Sequence, residues 1–107
     1  MHQRTMKATI TSGLMPDLLL RLDLEIAPIV RTAPGFIAYF AVATDETTFF
    51  TTRIFQDRAS LQAETEAAIA VQNAIASDFG FPDAPETIID APIGVVRGYG
   101  PIEEFTP

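Results

Sequence analysis

Residues 33–57 read APGFIAYFAVATDETTFFTTRIFQD, and the punctuation within that stretch decides the fold. Pro34-Gly35 stops a helix, because glycine tolerates the left-handed turn that ends one and proline cannot continue it. Two runs rich in Phe, Tyr, Ile, Val and Thr follow, parted by the polar pair Asp45-Glu46, which is the pattern of a β-hairpin. Asp57 closes the stretch as a helix N-cap. Neither run shows the apolar–polar alternation of a sheet with one wet face. In Phe36–Ala43, Phe36, Ala38, Phe40 and Val42 fall on one side, and Ile37, Tyr39, Ala41 and Ala43 on the other. Phe49, Phe50, Ile54 and Phe55 likewise spread over both sides of the second run. Helices in so short a chain cover one face. The other calls for a second copy of the same sheet.

On the N-terminal side, Thr5–Thr11 alternates Met6, Ala8 and Ile10 against Thr5, Lys7, Thr9 and Thr11, a half-buried strand. A helix follows, opened by Pro16 and Asp17, with Leu18, Leu19, Leu22, Ile26, Ile29, Val30 and Ala33 as its buried stripe. Asp17, Arg21 and Glu25 sit four apart on the other side and can pair. Pro28 falls inside this helix and predicts a kink or a break. On the C-terminal side, Asp57 begins a second helix running to about Phe79. Leu61, Ala68, Val71, Ile75 and Phe79 form its apolar stripe, and Gln62, Glu64 and Glu66 face water. Gly80 ends it. Glu86–Asp90 and Ile93–Arg97 read as strand interrupted by Ala91-Pro92, which confines the segment to a sheet edge or a bulge. Gly98–Pro107 is an irregular tail that can lie on a partner subunit.

The order strand, helix, strand, strand, helix, strand specifies an α+β fold of ferredoxin-like βαββαβ type. It has a four-stranded antiparallel sheet with two helices on one face. The 107 residues form one domain, with its core at about 5–98 and the irregular tail at 99–107. The bare second face predicts a homodimer.

Composition narrows the function classes. The chain has no Cys, so it offers no disulfide, no thiolate metal site and no cysteine nucleophile. A net charge of −7 with scattered Lys and Arg argues against a nucleic-acid partner. The polar N-terminus lacks an apolar leader, and no apolar run reaches membrane-spanning length, so a cytoplasmic protein with no membrane partner is expected. With one His and neither H-x-H nor E-x-x-H, no metal site is expected. Ser12 and Ser60 lack a His base for a triad, and Gly98-Tyr99-Gly100 opens no helix, so it is no nucleotide loop.

Several motifs together resemble the antibiotic biosynthesis monooxygenase-like group over roughly Lys7–Gly98. They are a helix ending I-A-P-I-V-R-T-A-P-G-F-I-A-Y, the Pro34-Gly35-Phe36 exit, the hairpin, and the passage Ile54-Phe55-Gln56-Asp57 into the second helix. The resemblance implies a homodimer whose two sheets pair into an α+β barrel, with a pocket between sheet and helices in each subunit. It also implies relatives of two kinds: cofactor-independent monooxygenases acting on quinol-like substrates, and haem-degrading enzymes. The haem branch relies on a Trp and an Asn with a His ligand on the second helix. This chain has no Trp, its only His is His2, outside the expected core, and its second helix carries none. No cofactor is therefore expected.

Three polar side chains are candidates for catalysis, each with a second reading. Asn73, the only Asn, can bind a substrate carbonyl from the second helix or lie on the helix surface. Tyr39 can orient a phenolic substrate or give a proton, or be structural with its hydroxyl at a rim. Arg53 can hold an enolate oxygen in a cavity, or form an inter-strand or inter-subunit salt bridge. Hairpin register decides whether Tyr39 and Arg53 share a face: a two-residue turn separates them, and one more residue brings them together. Phe40, Phe49 and Phe50 of the hairpin, with Val71 and Ile75 of the helix, are the expected substrate pocket; the Phe cluster also reads as core and dimer interface. An open site requires a cavity of roughly 300 Å³ or more with convergent polar groups. The expected function is binding of a small apolar or aromatic molecule and, if catalytic, cofactor-independent oxidation of a quinol-like substrate. The alternative is a non-catalytic binding or structural dimer with no open active site.

Overall fold

The computed structural model describes residues 1–95. Strand β1 (His2–Thr9) leads into helix α1 (Met15–Arg21), which passes through a π-helical stretch, Leu22–Ile26, into α2 (Ala27–Thr32). The hairpin β2 (Phe36–Ala43) and β3 (Thr48–Phe55) follows, then the long helix α3 (Arg58–Asp78) and strand β4 (Glu86–Pro92). All pairings are antiparallel, in the order β2-β3-β1-β4. This is the ferredoxin-like α+β arrangement, with both helical layers packed on one sheet face.

Helix α3 starts where its cap dictates. Asp57 has extended backbone, and its side chain accepts from the Ser60 amide at 2.7 Å. At its entrance Gly35 has φ +82°, and an added Cβ would lie 2.9 Å from the Ser60 Cβ, so only glycine lets the chain turn this close to α3.

Pro28 does not break its helix. The turn before it widens instead, with the Ala27 amide donating to the Leu22 carbonyl, five residues back. Proline lacks the amide that a regular helix would direct to residue 24, and the π turn absorbs that missing bond while the chain stays right-handed helical. Leu18, Leu22, Ile26 and Val30 remain buried along one stripe, as expected. Arg21 pairs with Glu25 and with Asp78 of α3 rather than with Asp17.

The strands differ from the sequence reading at both sheet edges. β1 begins at His2 and ends at Thr9, so His2 is not outside the core: it is 7 % exposed and its Nε2 meets the Asp90 carboxylate of β4. β4 runs unbroken through Ala91-Pro92, tolerated because it is the edge strand, with a bulge opposite Thr5/Met6. Ile93–Val95 carry no strand, and the rest of the expected strand to Arg97, with the tail 99–107, lies outside the described residues. In β2 a register shift between Phe36 and Ala38 turns Phe36 to the helix side, where its ring meets Phe55 edge-on at 6.0 Å.

The core between sheet and helices gathers Leu18, Leu22, Ile26, Phe49, Phe55, Leu61 and Ile75, among others. No helix among the described residues is long and apolar enough to cross a membrane.

Candidate functional site

The hairpin loop selects the register that the sequence left open. Asp45 Oδ1 accepts from the Thr47 amide at 2.9 Å, the Thr47 hydroxyl at 3.1 Å and the Thr48 amide at 2.8 Å. These bonds fold Asp45-Glu46-Thr47 into the loop, closed by the Thr44 amide donating to the Thr48 carbonyl at 3.0 Å. With that third loop residue, Tyr39 pairs directly with Arg53 and both point to the helix side. The Arg53 guanidinium carbon lies 5.4 Å from the centre of the Tyr39 ring, a cation–π contact.

Above this pair is a cavity of about 250 Å³, somewhat below the size anticipated for a small-molecule site. Its floor is Met6 and Ala8 of β1 with Phe49, Thr51 and Arg53 of β3 and Tyr39 of β2; α3 and the π-helical stretch supply the walls. Leu22 and Ile26, the first and last residues of that stretch, both line it. The lining is mostly apolar, and its polar groups are few: Tyr39, Arg53, Thr51, Thr65, Gln72 and Asn73. Asn73 is exposed, so it stands at the mouth of the cavity rather than within it.

Five of the sequence-nominated residues meet here: Tyr39, Arg53, Asn73, Phe49 and Ile75. The others do not. Phe40 and Phe50 point to the opposite sheet face, since register places them with Thr52 and Val42. Val71 packs against the core cluster without lining the cavity.

Glu64, read from sequence as facing water, is 2 % exposed and accepts from Arg53 Nε at 2.8 Å. Arg53 is thus neither an inter-strand nor an exposed cation: it is tied to α3 by a buried ion pair. Its terminal nitrogens bond nothing else among the described residues. Burial pushes the Glu64 carboxyl above the usual carboxylate range, against the opposing pull of Arg53 and, more weakly, Arg4. Burial likewise raises the Tyr39 hydroxyl, partly offset by Arg53, so the phenol stays protonated as a donor. Tyr39 Oη and Glu64 Oε1 are both buried without a hydrogen-bond partner among the described residues.

Beside this pair, Arg4 of β1 donates to Thr65 and Gln62 of α3 and to Asp90 of β4, bolting the helix to the sheet edge. Sequence reasoning did not single out Arg4 or Glu64. A signal for Glu64 existed: positions 61, 64, 68, 71 and 75 follow one helical stripe, and Glu64 lies in it. Among the described residues no group of three or more carboxylates and histidines comes together as a metal site.

No family model matches the sequence, and no curated protein matches it either. Solved structures do. A Streptomyces coelicolor monooxygenase from the gene ActVA-Orf6, in complex with the ligand nanaomycin D, superposes with a TM-score of 0.75 at 14 % identity over 92 % of both chains. A candidate antibiotic biosynthesis monooxygenase of Nitrosomonas europaea gives 0.70 at 15 % identity, over 86 % of this chain and 89 % of that one. An uncharacterised NIPSNAP domain protein of Burkholderia xenovorans gives 0.61 at 15 % identity, over 92 % of this chain and all (100 %) of the other. The chain has the fold of the antibiotic biosynthesis monooxygenase-like group. At these identities the likeness concerns the fold.

Proposed function

We propose that this chain binds a small apolar or aromatic molecule between sheet and helices and oxidises a quinol-like substrate with molecular oxygen and no cofactor. The observation that carries this reading is the convergence of Tyr39, Arg53 and Asn73 on one apolar cavity. A flat aromatic ring fits such a lining, and its oxygen meets Arg53, the one cation lining it among the described residues. Arg53 holds the enolate or phenolate form of the substrate, Tyr39 donates a hydrogen bond or proton to the developing oxyanion, and Asn73 orients the outer end. The electron-rich anion itself reduces oxygen. For a ring CH₂ converted to C=O, one oxygen atom enters the product and the other leaves as water with the two hydrogens. A monooxygenase of the same fold that holds nanaomycin D supports the ligand class. A volume of about 250 Å³ in this chain favours compact, naphthol- to anthrone-sized rings.

The test is oxygen uptake with anthrone- and quinol-type substrates. Tyr39→Phe should lower the rate by about 10²-fold, the usual contribution of a positioned proton donor. Arg53→Met, made together with Glu64→Gln so that no buried charge is stranded, should lower it at least as far. Uptake across the panel no different from a no-protein control would favour the alternative, a non-catalytic binding or structural dimer.

A further inference from the structure

Before any ligand arrives, the charge beneath the cavity is already balanced. Arg53 and Glu64 form one buried ion pair, with Glu64 Oε2 on Arg53 Nε at 2.8 Å and side-chain exposures of 7 % and 0 %. Among the described residues, the ionisable groups that face Glu64 are Arg53 from β3, Tyr39 from β2 and, further off, Arg4 from β1. Ile29, Ala33 and Pro34 of the α2 side, which share a groove with Glu64, carry no charge. Arg4 is itself engaged by Asp90 at 3.2 Å.

An anionic ring set against the terminal nitrogens of Arg53 would put two anions on one cation in a dry setting. Low dielectric makes that arrangement costly, and one carboxylate of such a pair takes up a proton. Arg53 cannot relieve the excess by losing charge, since a guanidinium does not deprotonate in proteins. Tyr39 is already neutral. Among the described residues Glu64 is the one group beside the site that can change, and its Oε1 is buried with no hydrogen bond to give up.

We infer that an anionic aromatic ligand binds this cavity together with one proton, which the solvent buffer gives up and Glu64 Oε1 receives. The inference rests on the proposed cavity as the binding site. No bond of the ligand breaks; the ligand arrives and stays as an anion against Arg53, and Glu64 becomes a neutral acid that still accepts from Arg53 Nε. Glu64 is accordingly a positioning residue, acting through Arg53. In the free protein it holds the guanidinium over Tyr39, and in the complex it yields the positive charge to the ligand.

Calorimetric titration of the full chain with 2-naphthoate and with its neutral counterpart 2-naphthamide tests this in phosphate and in Tris. These buffers differ in ionisation enthalpy, so the difference in heat counts protons. The expected result is about one proton taken up per naphthoate and none per naphthamide. Naphthoate affinity should fall about tenfold for each pH unit of rise wherever free Glu64 is ionised. In Glu64→Gln, naphthoate should bind with no proton uptake and no such pH slope. A measurement on the native protein stands beside the variant: the infrared difference spectrum should gain the carbonyl stretch of a protonated carboxylic acid on naphthoate binding and not on naphthamide binding. Naphthoate binding without proton uptake, or uptake that persists in Glu64→Gln, overturns the inference and leaves the cavity reading standing. Failure of both probes to bind overturns the cavity reading itself, and this inference with it.

Discussion

Glu64 occupies a position on α3 that its neighbours would give to a leucine, between Leu61 and Ala68 on the buried stripe. A carboxylate there is tolerated because Arg53 rises from the sheet to meet it, and removing either partner would strand the other's charge. Its response to pH runs opposite to that of the capping aspartates. Hydrogen bonds from Ser60 hold Asp57 below the usual carboxylate value, those from Thr47 and Thr48 do so for Asp45, and the His2 and Arg4 contacts do so for Asp90. A lowered carboxylate contributes stability that is complete above its unfolded pKa, about 3.9, and is lost as pH falls through the folded value. Glu64 is raised, so its contribution is complete below its unfolded pKa, about 4.3, and fades as pH rises through the folded value. Thermal melts from about pH 3 to about pH 8 separate the two. The native protein should lose stability steeply below about pH 4. Glu64→Gln should keep that acid limb, and its melting temperature relative to the native protein should climb as pH rises above about 4.3. A difference that stays flat or falls over that range would contradict a raised Glu64. Sequence showed the acid in the stripe, but reading it as buried required knowing that Arg53 faces α3, which the hairpin register alone decides.

That register belongs to the scale of elements. A hairpin fixes which side chains face which layer by the number of residues in its turn, and here the choice is made by one side chain, Asp45. Both strands and the turn between them were legible in the sequence, as were the caps at Asp57 and Gly80 and the helix stop at Gly35. Turn length was not, because Asp45-Glu46 and Asp45-Glu46-Thr47 are both acceptable loops by residue type. Phe40 and Phe50 were grouped with Phe49 as one aromatic cluster, although strand alternation sets Phe50 opposite Phe49 in any register and the three-residue loop sends Phe40 the same way; a bulge at Ile37 moved Phe36 across the sheet. Pro28 was legible as a disturbance of its helix, though not as a π turn, since a widened turn rather than a break depends on packing that keeps Leu22 and Ile26 buried together. Asp45→Ala should therefore loosen the loop before it harms the core. Hydrogen exchange should show faster exchange of the Thr47 and Thr48 amides, with β1–β3 amides little changed, and naphthoate affinity should fall with the loss of a fixed Tyr39–Arg53 pairing. Unchanged exchange at both loop amides would mean that Asp45 does not set the register.

At the scale of the whole molecule the unbalanced feature is the sheet face turned away from the helices. Phe40 is 49 % exposed and Val42 48 %, with Ile88 at 45 % and Ile89 at 43 % on β4. Phe50 and Ile54 lie half-buried on β3. A sheet in water ordinarily shows polar side chains on such a face, and a stable interface covers about 800 Å² per partner with an apolar centre of this kind. Pairing through this face leaves the cavity between the helices and the sheet untouched, because strand alternation keeps Phe40 and Val42 on the side away from Tyr39 and Arg53. Two copies meeting sheet to sheet are therefore expected in solution. Light scattering at micromolar concentration should return twice the 11.6 kDa chain mass. Phe40→Glu with Val42→Glu should shift it to the single-chain mass, since facing copies would bring like charges together at the interface centre. Circular dichroism would check that the variant keeps its fold. A single-chain mass for the native protein would refute the dimer. A variant that stays dimeric would place the interface elsewhere on the surface.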